Sequence, residues 1–367
     1  MPQPASIEAA EYSRWDDDDL EPQQGEMPGV AASDDGPAKL DAVVFVAGAE
    51  ADGGRLDKWL AARMPAYSRS RIQRWIGDGH VAVEGRVAAT RDPVWKGDSV
   101  RVAPQASDDE SAFLPEEIAL DILYEDAAVL VLDKRAGLVV HPASGNWSGT
   151  VLNGLLHHAP ALAQVPRAGI VHRLDKDTTG LMVVAKTIVA QTDLVRQLQA
   201  RTVGRTYLAI VHGTPPARGR VDWPIGRDPR DRTRMAAFKP LPNEYEPRPG
   251  TKPAATRFET LASVDLDRRG SASLVLCRLE TGRTHQIRVH LQSIGHSLVG
   301  DATYGGARAS IAFDRQALHA WQLRLVHPES RETMDWRAEP PEDFATLAAT
   351  LGFELDDLLD TAERADD

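Results

Sequence analysis

Apolar positions recur with two periods along this chain. Between residues 53 and 102 the spacing is first helical, with Leu56, Trp59, Leu60 and Met64 on one stripe and Pro65 as the stop. Ser68 then stands as N-cap to a second helix whose stripe is Ile72, Trp75 and Ile76, with Gly77 and Gly79 at its end. The pattern changes at Val81-Ala82-Val83, which with Glu84-Gly85-Arg86-Val87 predicts a strand and tight turn, and Val100-Arg101-Val102 closes a small sheet. From about 128 to 345 short apolar runs alternate with turn residues: Val129–Leu132, Ile170-Val171, Leu181–Ala185, Tyr207–Val211 and Leu274–Leu279. Many are β-branched, and helices are expected only at 187–201 and 284–294. The prediction is an α+β chain, a small helix-and-sheet module followed by a mixed, largely antiparallel sheet domain with flanking helices.

The segments outside these patterns are acidic. Residues 1–52 contain the run Asp16–Asp19 and too few aliphatic residues to offset the entropy of ordering, so they are expected to be a disordered extension. The remaining boundaries fall at 53–103 for the small module, 104–126 for an acidic linker, 127–348 for the larger domain and 349–367 for an acidic tail. In that tail Phe353, Leu355, Leu358 and Leu359 allow a short helix.

Charge changes the picture once it is resolved by segment. The chain of 367 residues has a formal net charge of −12, which by itself argues against a polyanionic partner. Residues 1–54, however, hold 2 basic and 13 acidic groups, and residues 103–126 hold 8 acidic groups and no basic ones. Residues 55–102 carry 10 basic against 5 acidic, and residues 127–352 carry 29 against 21. The parts expected to fold are basic. A single cysteine, Cys277, permits no intramolecular disulfide and no thiolate zinc cluster, and the N-terminus lacks the apolar core of a secretory signal. No apolar stretch approaches the ~20 residues of a membrane helix, and a cytoplasmic location is expected.

Three clusters could carry chemistry. The first is Gly169-Ile170-Val171-His172-Arg173-Leu174-Asp175-Lys176-Asp177-Thr178-Thr179-Gly180, two apolar runs about a polar turn. Asp177, Thr178 and Thr179 read as turn caps, whereas Arg173 and Asp175, two apart on an extended segment, would project together. The second is Glu280–Leu291, a helix with Ile287, Leu291 and Ile294 on its stripe, Thr284 as cap and Arg288 off the stripe. His285 and His290 are five apart, not the four of a helical metal pair, so no metal site is expected. In the third, Arg205–Val211, Tyr207 reads as a packed strand residue. An aspartate, an arginine and a tyrosine, without a phosphate loop, a nucleophile elbow or an opposed second carboxylate, leave an aspartate nucleophile held ionised by a guanidinium. In the small module Arg63, Arg69, Arg71 and Arg74 are either a solvated helix face or a surface that tracks phosphates.

The stretch RLDKWLAARMPAYSRSRIQRWIGDGHVAVEGR resembles the S4 (αL-type) RNA-binding domain, which favours the phosphate-tracking surface. The segments GIVHRLDKDTTGLMVVAKT, RTYLAIV and LETGRTHQIRVHLQSIGHSLVGDATYGG resemble the RluA family of RNA pseudouridine synthases, and VVHPASGN and VPRAGIVHRLD resemble its D subgroup, which acts on large-subunit ribosomal RNA. The resemblance implies a cofactor-free isomerase that converts uridine to pseudouridine, with 23S ribosomal RNA as partner and the helix 69 loop, positions 1911/1915/1917, as target. It also implies a monomer, with neither a membrane nor a nucleotide cofactor as partner. By motif, Asp175, Tyr207 and Arg288 are the catalytic residues, with Arg288 paired to Asp175 and Tyr207 against the uracil. Arg173 would fill the gap left by a flipped base, and Arg283 and His285 are candidate RNA contacts. Arg227, Arg230, Arg232, Arg234 and Lys239 would follow the RNA backbone. Relatives with other ribosomal or transfer RNA targets, and a non-catalytic assembly factor, are the alternatives. The acidic extension and the Pro-rich stretch 238–253 are not part of the resemblance.

Overall fold

The computed structural model describes residues 42–105, 112–143, 146–241, 248–306 and 311–364. The expected disorder of the first 40 residues therefore lies outside the described residues, as does most of the Pro-rich excursion. The chain divides into two compact units, the smaller ending at Leu114 and the larger taking the chain from Pro115 onward.

In the smaller unit, β1 (Val43–Val46), α1 (Leu56–Arg63), α2 (Arg69–Gly77), β2 (Val81–Val83), β3 (Arg86–Val87) and β4 (Ser99–Val102) form two helices and an antiparallel sheet of order β1-β4-β2-β3. The predicted stripes are the core: Leu56, Trp59, Leu60, Ile72, Trp75 and Ile76 pack with Val81, Val100 and Val102. Ser68 caps α2 by accepting from the Arg71 amide at 3.3 Å. Glu84 and Gly85 both have positive φ, the hairpin turn whose twist matches its strands. One boundary moves. β1 lies upstream of residue 53, inside the stretch read as acidic extension, because Val43-Val44-Phe45-Val46 completes the sheet along β4.

The larger unit is built on a nine-stranded sheet. In chain order its elements are β5 (Asp121–Glu125), β6 (Val129–Lys134), α3 (Val151–His158), β7 (Thr179–Ala185), α4 (Ile188–Gln199), β8 (Gly204–His212), β9 (Arg218–Val221), β10 (Ile225–Arg227), β11 (Met235–Ala237), β12 (Thr251–Lys252), β13 (Thr256–Asp265), β14 (Ser271–Leu279), α5 (Gln286–Ser293), β15 (Leu318–Val326), β16 (Thr333–Arg337), α6 (Glu342–Thr350) and α7 (Leu355–Arg364). The sheet order is β9-β13-β14-β8-β15-β7-β6-β5, with β16 on β15, and β10–β12 form a separate small sheet. Only β7 and β15 pair in parallel, through Thr179 and Gly180 against His319 and Ala320. A Cβ on Gly180, whose φ is +110°, would lie 2.2 Å from the Ala320 carbonyl oxygen, so the approach of the two strands requires glycine there.

Alternation along the strands divides the core between the two sheet faces. Leu181, Val183 and Ala185 pack under α4, while Leu208, Ile210, Leu274 and Leu276 pack under α6 and α7. Three expectations change. Residues 121–125, read as linker, are a strand of the sheet. Phe353 and Leu359, from the acidic tail, are buried in the second core, so residues 351–359 belong to that layer. Ile170-Val171 is not a strand: Arg167, Ala168 and Gly169 all have positive φ and turn the chain, leaving a single bridge from Ile170 to Val184.

Candidate active site

Asp175 sits in the short turn that leads into β7. The Thr178 amide donates to its carbonyl at 3.1 Å, and neighbours hold the following residues one by one. Lys134, at the end of β6 and fully buried, donates from Nζ to the carbonyls of Arg135, Leu138 and Lys176 at 2.8–2.9 Å. Arg315 donates to the Asp177 carbonyl at 3.1 Å and forms a bidentate pair with Asp343 of α6. Gln316 reaches the Thr178 hydroxyl, and His319 Nδ1 lies 2.9 Å from that of Thr179. The two threonines therefore bond to β15 and the segment before it instead of capping their own turn. The turn is clamped from three sides.

The carboxylate of Asp175 meets Arg288, whose Nη1 donates to Oδ2 at 2.9 Å. Arg288 is off the apolar stripe of α5, as expected, yet it is 5% exposed because that face too is covered. Its Nε and Nη2 grip Asp301 at 2.8 and 2.9 Å, and the amides of Thr303 and Tyr304 bond Asp301 in turn. Burial works against the guanidinium charge, but Asp301 and Asp175 outweigh it and hold Arg288 firmly charged. Burial likewise raises Asp175, but its surroundings, His285 if protonated, Arg288 and Arg173, hold the carboxyl below its ordinary range. Burial pushes His285 below 6.5, so near neutrality the two guanidiniums do this work. The result is an ionised carboxylate with one oxygen, Oδ1, outside the Arg288 contact.

Thr284 does not cap α5. His285 takes the N-cap position in a left-handed conformation, φ +58°, without a side-chain cap bond. Gln286, buried, ties the preceding loop down by accepting from Thr281 and the Arg283 amide and donating to Ala255 and Thr256. His290 is bonded to Thr256 and Trp223, away from His285, and among the described residues no group of three or more acidic, His or Cys side chains could hold a metal ion.

An open, solvent-filled cleft is lined by Arg173, Asp175, Tyr207, Arg283, His285 and Arg288. It brings together all three predicted catalytic residues and three of the predicted RNA contacts. Tyr207 is 5% exposed on the central strand β8, so it is at once a packed strand residue and part of the cleft wall. Arg234 and Arg288 both lie over the ring of Tyr304, 5.0 and 5.1 Å from its centre. Lys134, Asp301, Tyr304 and Gln286 carry the site without having been singled out in the sequence. The segment DATYGG, a compact polar run with no place in an apolar period, was the available signal for two of them.

The four arginines of the smaller unit predicted to contact RNA differ in their partners. Arg69 donates to Asp57, a fully buried carboxylate that also takes Arg55 and Gln73. Arg63 pairs with Glu50 and lies over Trp59, and Arg71 lies over Tyr67 and Trp75. Arg74 is on the last turn of α2.

Residues 128–293 match the RNA pseudouridylate synthase family, and residues 54–100 match the S4 domain. A Nitrosomonas europaea protein, "Ribosomal large subunit pseudouridine synthase D", is 51% identical over 306 residues, 82% of this chain and 85% of its own. The chain belongs to the RluA-type RNA pseudouridine synthases. This synthase is also 46% identical to the protein of the same name from Escherichia coli K12, over 85% of this chain and 94% of that one. The solved structure of human RNA pseudouridylate synthase domain containing 4 aligns at 26% identity over 63% of the synthase and 92% of its own chain, with a TM-score of 0.49. The synthase is thus an RNA isomerase with an S4 domain ahead of its catalytic sheet. Among the described residues no helix is long and apolar enough to cross a membrane.

Proposed function

We propose that this synthase isomerises uridines of large-subunit ribosomal RNA in the loop of helix 69, positions 1911/1915/1917, with Asp175 as the nucleophile. The observation that carries the reading is the carboxylate of Asp175, bonded to Arg288 through one oxygen only, in a cleft shared with Tyr207. The names of relatives that match over more than four-fifths of this chain support large-subunit ribosomal RNA as the substrate, and the helix 69 loop is what the sequence resemblance implies.

Isomerisation breaks the N1–C1′ bond, turns the base and joins C5 to C1′. It is redox-neutral and needs no cofactor. An ionised Asp175 can attack C1′, or take the C2′ proton so that a glycal forms. Arg288 holds the carboxylate anionic and aimed. Tyr207 stacks against the uracil and assists loss of the C5 proton that restores conjugation. The uridine must leave its helix at a cost of a few kcal/mol, and Arg173, two residues from Asp175, occupies the gap. Arg283 and His285 contact the nucleotide at the cleft. The arginine-rich stretch at 227–234 with Lys239, and Arg63, Arg69, Arg71 and Arg74 of the S4 unit, follow the phosphates. The synthase acts as a monomer in the cytoplasm.

The test is tritium release from RNA labelled at uridine C5. Asp175→Asn is expected to release none while its RNA affinity stays within about tenfold of the parent. Full activity of that variant removes the nucleophile. Pseudouridine mapping in cells lacking this chain identifies the target: loss at sites other than helix 69 redirects the reading to another ribosomal or transfer RNA. An unchanged map leaves a non-catalytic assembly factor.

A further inference from the structure

The imidazole of His285 is fixed in one tautomer by a neighbour that takes no part in the mechanism above. His285 Nδ1 lies 2.8 Å from the Tyr304 hydroxyl oxygen, which itself accepts from the Met235 amide at 2.9 Å. Tyr304 is 4% exposed, and burial raises its phenol, so it keeps its proton. Among the described residues that proton has no acceptor other than His285 Nδ1. The tyrosine therefore donates, Nδ1 accepts, and the ring's own proton resides on Nε2. Burial, with the charges of Arg288 and Arg173, outweighs the pull of Asp175 and keeps the ring neutral.

Nε2 stands 3.9 Å from Oδ1 of Asp175, the oxygen outside the Arg288 contact. That is too long for a hydrogen bond between them, so the N–H at the cleft wall is not spent on the aspartate. The left-handed backbone of His285, uncommon for a non-glycine residue, is the kind of strain found where a side chain must be aimed.

We infer that His285 is a further catalytic residue whose Nε2–H bonds the O2 carbonyl oxygen of the flipped uracil and stabilises the negative charge that forms there when the N1–C1′ bond breaks. This rests on the reading of Asp175 as nucleophile. The electron pair of the broken bond passes to the base and spreads over N1, O2, C5 and O4, while C1′ bonds Asp175 or the sugar gives its C2′ proton to it. C5 then bonds C1′ as the Asp175–C1′ bond breaks, or as Asp175 returns its proton to C2′. The C5 proton is lost and N1 takes one up, so the product is an isomer, and His285 neither gains nor loses a proton overall. O2 is the base oxygen next to N1, hence nearest the sugar carbon that Asp175 must approach, whereas O4 lies across the ring. A neutral donor suits this task. An imidazolium would protonate N1 and free the base as uracil, while a neutral N–H holds the anion until it recombines.

Single-turnover isomerisation is measured on a large-subunit ribosomal RNA fragment whose target uridine is left normal, or replaced by 2-thiouridine or 4-thiouridine. Sulfur is a weak acceptor, so the parent is expected to slow about 10-fold or more on the 2-thio substrate and far less on the 4-thio one. H285A is expected to slow about 10²-fold on uridine, the loss typical of one oxyanion donor, with RNA affinity within about threefold. In H285A the 2-thio replacement then adds almost nothing, and H285Q, which keeps an N–H, regains part of the rate. A full rate in H285A, or an equal 2-thio penalty in both proteins, overturns the assignment. If H285A does not fold, equal penalties from the two thio substrates in the parent overturn it instead. Asp175→Asn run alongside separates the two claims, because an active Asp175→Asn removes the nucleophile itself.

Discussion

Arg288 reaches Asp175 with Nη1 alone, its other two hydrogen-bonding nitrogens being committed to Asp301. Asp301 is thus the anchor and Asp175 the free partner. This division leaves Oδ1 of Asp175 outside the pair while the guanidinium stays in place. A lysine could not serve both carboxylates, since it lacks the planar fork.

Asp301→Asn removes the anchor's charge but keeps its shape. Because breaking one side of a buried pair typically costs ~3–5 kcal/mol, a distinct fall in Tm is expected, together with a loss of turnover of about tenfold or more. Thermal unfolding and single-turnover kinetics check both. Unchanged kinetics would mean that Asp175 alone positions Arg288.

Lys134→Met leaves the carbonyls of Arg135, Leu138 and Lys176 without their shared donor, at ~1–3 kcal/mol for each that stays unpaired. Since Lys176 follows Asp175, the turn should loosen. Hydrogen exchange at residues 176–179 is expected to accelerate, and turnover to fall while RNA affinity persists.

Gly180→Ala adds a methyl within 2.2 Å of a backbone oxygen, at a φ that alanine rarely adopts. Strand β7 would have to part from β15 at the point where the catalytic turn enters the sheet. Destabilisation of more than ~2 kcal/mol by denaturant titration is expected, with activity lost.

Asp133 supplies a pH dependence of its own. Burial and the facing Asp121 raise its carboxyl from 3.8 to about 6. Between these values the folded chain binds more protons than the unfolded one, so stability falls as pH rises from about 4 to 6. Asp133→Asn is therefore expected to stabilise the fold at pH 7–8 by on the order of 1–2 kcal/mol, seen as a higher Tm, and to leave Tm unchanged near pH 4. The Tm difference measured across that interval tests the sign.

The elements with a clean period were legible in the sequence. The α1 and α2 stripes, the Ser68 cap and strands β6, β7, β8 and β14 follow the apolar positions directly, because local spacing and tertiary burial agree there. What stayed hidden depended on distant partners. Ile170-Val171 has the composition of a strand, but three left-handed residues before it break the register. β1 is four apolar residues beside an acidic stretch, and only pairing with β4 makes it a strand. At the site, Asp175, Tyr207 and Arg288 stood out by residue type and motif. Lys134 and Asp301 did not, since a lysine at a strand end and an aspartate in a loop look solvated until their buried partners are known.

The clasp between Arg315 and Asp343 places a demand on the order of synthesis. Arg315 holds the Asp177 carbonyl, and its counter-carboxylate lies on α6, which follows every strand of the sheet in the chain. A nascent polypeptide can form most of the sheet before then. The turn that carries Asp175 gains this brace only once α6 has been made, so a product cut short before α6 would retain much of the sheet while its Asp175 carboxylate lacked rigid support.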